Sequence, residues 1–376
     1  MNIDKVEISR LKMPLKQPFE TSFGRLTFKD FLVVSIHSGD FVGYAESASL
    51  PYPIYNEETT GTVSYILKEF LIPKLFSVER IKHPTEIHKL FQPIRRNNMA
   101  KAVIDGAVWD LYAKQQGISL ATALGGDKQE IDVGVSIGIE ATVGKVLEKV
   151  ERFIAEGYKK IKVKIKPGHD VEVVRAIREQ FGPDVPLMAD ANSSYSLDDA
   201  PILKQLDQFN LIMIEQPLAH DDIIDHAKLQ KQLSTPICLD ESIHSVEDAR
   251  KAIELGSCKI INIKVGRVGG LTEAKKIHDL CKSNNIPVWC GGMLEAGIGR
   301  AHNIALSALD NFSIPGDTSA SDRYWAYDIV TPEIMLSQPG RLQVPDSPGI
   351  GYEINTSVFE QYLISKEFFT NELIVK

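Results

Sequence analysis

Ile161-Lys162-Val163-Lys164, Leu187-Met188-Ala189-Asp190, Ile212-Met213-Ile214-Glu215, Ile237-Cys238-Leu239-Asp240 and Ile260-Ile261-Asn262-Ile263-Lys264 are five short apolar runs, each closing on a charged residue. They lie between Tyr158 and Gly270, and the closing charges follow one another at 26, 25, 25 and 24 residues. Apolar runs of this length, alternating with helical patterns, read as strands of βαβ units in a parallel sheet. One strand and one helix account for each beat.

The beat extends in both directions. Val133-Gly134-Val135-Ser136-Ile137 reads as an earlier strand. Thr142 then caps a helix whose apolar residues Val143, Val146, Leu147, Val150, Phe153 and Ile154 follow the 3.6 period, and Gly157 ends it. Val288-Trp289-Cys290 and Phe312-Ser313-Ile314 bring the strands to eight. Eight such units without a glycine-rich dinucleotide turn favour a closed (β/α)8-type barrel over a Rossmann sheet. Gly297-Ile298-Gly299 is only a fragment of that turn, because His302 stands where its last glycine belongs.

Ahead of the barrel the texture differs. Ile3, Val6 and Ile8, then Phe31 to Ile36, suggest an antiparallel sheet, with Pro18 to Gly24 as a connecting loop. Helical patterns run over 57–76 and 99–116, the second closed by Gly117 as a C-cap. Leu124-Gly125-Gly126 marks a boundary. The expected class is α/β. Residues 1–126 form an α+β capping domain, 127–328 the barrel with the catalytic site, and 329–376 a segment packing back on the cap.

Composition sets limits on function. The 376 residues are 43% hydrophobic and 24% charged, ordinary for a globular protein. A net charge of −8 gives no argument for nucleic acid or a membrane surface. No apolar run approaches the ~18 residues of a membrane span, and Met1 to Arg10 does not resemble a signal peptide. Cys238, Cys258, Cys281 and Cys290 lack C-x-x-C pairing and read as buried thiols of a cytoplasmic protein.

Strand side chains alternate, so Ile161, Val163 and Ile165 share one face, while Lys162 and Lys164 share the other. A barrel strand is apolar toward its helices, which turns both lysines inward; a solvated edge strand, the competing reading, has no place in a closed barrel. Asp190, Glu215 and Asp240 end three successive strands and would project side by side at the mouth. Each alone can be a helix cap, but three together call for a divalent cation with oxygen ligands, Mg²⁺ or Mn²⁺. Asn192 either supports that shell or substrate, or serves as a turn residue. Lys264, four strands after Lys164, would face it across the mouth. A lysine near a metal and a second cation has its pKa lowered and becomes a base near neutral pH. Such a pair suits abstraction of a proton α to a metal-held carboxylate. Arg267 is placed to tune Lys264, or is an ordinary loop arginine. Gly269-Gly270 and Gly291-Gly292 allow close backbone approach.

At these residues the chain resembles the enolase superfamily and, within it, the muconate-lactonizing subgroup. The resemblance rests on Lys162-x-Lys164, Asp190-Ala191-Asn192, Glu215-Gln216-Pro217, Asp240-Glu241-Ser242 and Lys264, with Trp109-Asp110 and Leu124-Gly125-Gly126 leading into the barrel. It covers the whole length. Met188 to Ser193, Cys258 to Lys264, Arg267 to Gly270 and Trp289 to Glu295 are similar, nearly letter for letter, to the o-succinylbenzoate synthase/N-succinylamino acid racemase family of Gram-positive bacteria. That resemblance implies a Mg²⁺-dependent enzyme, with Mn²⁺ or Co²⁺ as substitutes. As a synthase in menaquinone formation, Lys164 would deprotonate 2-succinyl-6-hydroxy-2,4-cyclohexadiene-1-carboxylate and return the proton to the departing hydroxyl, with Lys264 stabilising the enediolate. As a racemase of N-succinylamino acids, Lys164 and Lys264 would act from opposite faces. By the same analogy the loop around Phe19 to Phe23 closes over substrate, and Ser136, Gly292 and Met293 lie near its succinyl group. The expected partner is a small carboxylate bearing a succinyl group, and the protein is expected to be a homo-oligomer.

Other readings compete. Mandelate-racemase-like enzymes carry a histidine base where this chain has Lys264, and dipeptide epimerases an Asp-x-Asp near the eighth strand, which Asp317-Thr318-Ser319 does not match. Muconate cycloisomerase shares the base and ligand plan. A non-catalytic binding barrel would have lost a lysine or a ligand, and all five are present. Synthase and racemase use one site and one intermediate; Arg267 and Val265-Gly266 resemble the racemase-competent members.

Overall fold

The structure, a computed structural model, describes residues 1–21 and 24–371. Its N-terminal sheet is antiparallel. Strands β1 (Lys5–Thr21), β2 (Gly24–Ser38) and β3 (Phe41–Glu46) pair in sequence, with a register break between Pro14 and Phe19. The expected loop is therefore shorter than the sequence suggested: Pro18 to Thr21 belong to β1, because their backbone pairs Phe19 with Leu26 and Thr21 with Gly24. The helix expected from residue 57 starts at Thr60, where the Thr59 hydroxyl caps it in a reciprocal box with Thr62. It continues through a π-turn (Leu67–Leu71) to Phe76. Helix Asn98–Gln116 lies across the sheet, closed by Gly117 at φ 68°. It approaches so near that a Cβ on Gly43 would stand 2.1 Å from the Ala107 carbonyl oxygen.

Beyond β4 (Glu130–Asp132), seven parallel strands curl in chain order: β5 (Val135–Ile137), β6 (Ile161–Lys164), β7 (Leu187–Asp190), β8 (Ile214–Glu215), β9 (Ile237–Leu239), β10 (Ile260–Ile263) and β11 (Val288–Cys290). The eighth position differs from expectation. Residues 312–316 make no ladder and close the ring through single bridges, Phe312 to Val288 and Gly316 to Val133. Pro315 cannot donate to a ladder, which limits pairing there. The C-terminal part threads between both bodies. It forms β12 (Val330–Thr331), β13 (Arg341–Gln343), β14 (Glu353–Ile354) and β15 (Leu363–Thr370), with β13 pairing β4 and β15 pairing β1 antiparallel.

Alternation along the barrel strands builds two layers. Ile161, Val163 and Ile165 point outward into the main core. Inward, Met188, Met213, Cys238, Ile260 and Trp289 form a separate apolar floor. Two residues further along three of these strands stand Asp190, Glu215 and Asp240. These carboxylates sit one pleat above the apolar floor, at the C-terminal face where barrel enzymes carry their sites. All four cysteines are free and buried.

Candidate active site

Strand register sets the site. Lys164 lies opposite Asp190, and Asp190 opposite Glu215. Lys164 Nζ stands 2.6 Å from Asp190 Oδ2 and 2.7 Å from Asn192 Oδ1. Asn192 adopts φ 42°, accessible to asparagine at modest cost, and its amide donates to Glu241 Oε1 at 3.0 Å. Lys162 Nζ meets three carboxylates: Asp317 at 2.6 Å, Glu215 at 3.1 Å and Asp190 at 3.3 Å.

Across the ring, Lys264 Nζ stands 2.7 Å from Asp240 Oδ2 and 3.2 Å from the Tyr55 hydroxyl. Arg267 is enclosed. Its Nε donates to the Ile243 carbonyl at 2.7 Å, Nη2 to the Asn262 carbonyl at 2.6 Å and Nη1 to the Tyr55 hydroxyl at 3.1 Å; it also pairs with Asp240. It is a structural clamp on the Lys264 turn, not a loop arginine. Lys164 on the second strand and Lys264 after the sixth occupy opposed positions in an eight-place ring, and both line one cavity.

Burial pulls the Lys164 ammonium below the ordinary lysine range, with Asp190 opposing. Lys264 shifts the other way. Burial lowers it, but Tyr55 and Glu241 outweigh burial and the net direction is upward. Lys162 rises as well: burial opposes, and Asp317, Glu215 and Asp190 prevail. Burial would raise Asp190, yet Lys164 and Lys162 hold it well below the usual carboxylate range. Glu215 is pushed up by burial and then by the like charge of Asp190.

Among the described residues no three His, Cys, Asp or Glu side chains gather into a ready metal cluster. Asp190, Glu215 and Asp240 stand at neighbouring strand ends, but each accepts from a lysine, and Glu215 Oε1 also accepts from Asn262 at 2.7 Å. The donor set still fits a hard divalent cation, being all oxygen, with Asp190 and Glu215 directly paired and mutually repelling.

Ser136, Gly292 and Met293 line the cavity with Phe19 and Thr21; Phe23 lies outside the described residues. Gly291 has a steric reason: a Cβ there would stand 2.4 Å from Asn262 Oδ1 and 2.8 Å from Lys264 Cε. The sequence reading missed Tyr55, Glu241, Asn262 and Asp317 as contacts of the site. Asn262 had a signal, lying one pleat before Lys264 on the same face. Gln216 had one in its position after Glu215: its amide oxygen accepts from Asp240 N at 2.9 Å and its nitrogen donates to Ser242 at 2.6 Å, which holds the Asp240 loop. Tyr55 had none.

Comparisons with known proteins agree with this architecture. Residues 4–125 match the model of the mandelate racemase/muconate lactonizing enzyme N-terminal domain, and 145–358 that of the enolase C-terminal domain-like family. The chain is 58% identical to an o-succinylbenzoate synthase of Geobacillus kaustophilus over 96% of both chains. It is 45% identical to an N-succinylamino acid racemase of Thermus thermophilus, covering 98% of this chain and 100% of that one. A crystal structure of an enolase superfamily member from Listeria innocua superposes with a TM-score of 0.95 at 47% identity, covering 99% and 100%.

Proposed function

We propose, from the premise that this chain belongs to the mandelate racemase/muconate lactonizing enzyme family of the enolase superfamily, that it is an o-succinylbenzoate synthase with N-succinylamino acid racemase activity. The observation that carries this is the opposition of Lys164 and Lys264 across one cavity, with carboxylates between them. Asp190, Glu215 and Asp240 would hold a divalent cation, Mg²⁺ foremost, which would supply positive charge opposite the substrate carboxylate.

The chain's own groups do the rest. Lys164, lowered by burial, takes the α proton. Lys162, held charged among three carboxylates, keeps a cation beside it. Lys264, raised and protonated, faces the developing negative charge. In dehydration Lys164 returns its proton to the departing hydroxyl on its own side. In racemisation Lys264 delivers a proton from the opposite side. The single shared step is α-proton removal, so one site performs both reactions. A dedicated N-acylamino acid racemase is the second reading, favoured by the same opposition of lysines.

The test is kcat/KM for dehydration of 2-succinyl-6-hydroxy-2,4-cyclohexadiene-1-carboxylate with Mg²⁺. A value of ~10⁴ M⁻¹s⁻¹ or above is expected. No turnover by folded, metal-loaded protein removes the synthase and leaves the racemase.

A further inference from the structure

Two buried charges beneath Lys162 have no part in the reaction as described. Lys160 precedes Lys162 by one pleat on the same inward face and is completely enclosed. Its Nζ stands 3.4 Å from the centroid of the Trp289 ring and 3.2 Å from Asp317 Oδ1. The other oxygen of Asp317 stands 2.6 Å from Lys162 Nζ, closer than either Glu215 or Asp190. One carboxylate therefore bridges Lys162 of β6 and Lys160, the residue just before that strand. It is carried by the segment that closes the barrel, which forms no ladder and meets its neighbours through single bridges at Phe312 and Gly316 and through a bond from Asp317 N to the Cys290 carbonyl.

Buried charges are costly unless compensated, so the pattern needs a reason. Asp317 lines the cavity together with Lys162 and Thr318. A bare carboxylate there would repel an anionic substrate. With a lysine on each oxygen it is neutralised, and it becomes an anchor for the ammonium between Asp190 and Glu215.

We infer that Asp317 is a positioning residue for Lys162, with Lys160 as its counter-ion, and that it acts through Lys162 and not on the substrate. The cation beside the base is thus fixed from the eighth barrel position. The kinetic arm below rests on the function proposed above; the stability arm does not.

The experiment is a double-mutant cycle of Asp317→Asn and Lys162→Met, read as kcat, KM and α-proton exchange in D₂O by NMR. Asp317→Asn is expected to lower kcat ~10- to 100-fold with KM within about threefold, and to add less than about twofold once Lys162 is Met. The unfolding midpoints of the same four proteins should be non-additive in the same sense. Lys160→Met, which leaves the Asp317–Lys162 contact in place but strips Asp317 of its counter-ion, should lower the unfolding midpoint and reduce kcat by less than Asp317→Asn does. If Asp317→Asn does not fold, the Lys160→Met/Asp317→Asn pair, which removes both partners, carries the measurement. Multiplicative effects in kcat, or a raised KM at unchanged kcat, would mean direct substrate contact and overturn the inference. Additive unfolding midpoints would overturn it as well. A wild-type protein without turnover removes the proposed function and leaves the stability cycle to decide this point.

Discussion

Lys264→Met separates the two lysines. Methionine keeps an unbranched apolar stem and removes the ammonium that contacts Asp240 at 2.7 Å and Tyr55 at 3.2 Å. Breaking a buried ion pair costs ~3–5 kcal/mol when a charge is left uncompensated. Here Asp240 retains Arg267, so the loss should resemble one charged hydrogen bond, ~1.5–3 kcal/mol. At ~2–4 °C per kcal/mol for a large domain, Tm should fall by roughly 3–12 °C, and the protein stays folded at 25 °C. Racemisation of an N-succinylamino acid needs a proton group on each face and should fall by at least ~10²-fold, the lower range for a general acid. Exchange at Lys164 should survive. Incubated in D₂O with each pure enantiomer, the variant should wash out the α proton of only the one whose proton faces Lys164, while wild type exchanges both. Equal loss of exchange for both enantiomers in folded protein, or racemisation within about tenfold of wild type, refutes the two-sided arrangement.

The remaining predictions are independent of this one. Chelation should abolish turnover and Mg²⁺ should restore it, with Asp190→Asn weakening Mg²⁺ binding in calorimetry; full activity in excess chelator contradicts the carboxylate assignment. Asp105 and Glu58 sit where the capping helix meets its neighbours, and burial pushes both up to about 7, above their ordinary values near 4. A raised carboxyl stabilises fully below its unfolded value and loses that contribution as pH rises through about 7. Tm should therefore fall from pH 5 to pH 8, and Asp105→Asn should flatten the fall; an unchanged slope rejects this account. Gly266→Ala should place a Cβ 2.6 Å from Ala48 Cβ and 2.8 Å from Met99 Sδ, costing ~1–3 kcal/mol. Because that turn follows Lys264, kcat should drop along with Tm; a variant as stable and active as wild type shows that the cap can yield there.

The alternation of Ile161, Lys162, Val163 and Lys164, and the beat that puts Asp190, Glu215 and Asp240 at successive strand ends, were legible without coordinates. Both follow from local backbone geometry: a strand turns its side chains with period two, and one strand-helix unit has a nearly fixed length. Opposition of Lys164 and Lys264 followed from counting strands around a closed ring. Tertiary structure decided the rest. Tyr55 reaches Lys264 across 209 residues of sequence, and Asp317 reaches Lys160 and Lys162 from the eighth position, two places round the ring; no periodicity marks such encounters. The direction of the lysine shifts was also undecidable from sequence. Burial lowers every enclosed ammonium, while carboxylates within about 3 Å raise it. Which prevails depends on an arrangement that exists only once the barrel has closed, and so Lys164 falls despite Asp190, while Tyr55 and Glu241 carry Lys264 upward.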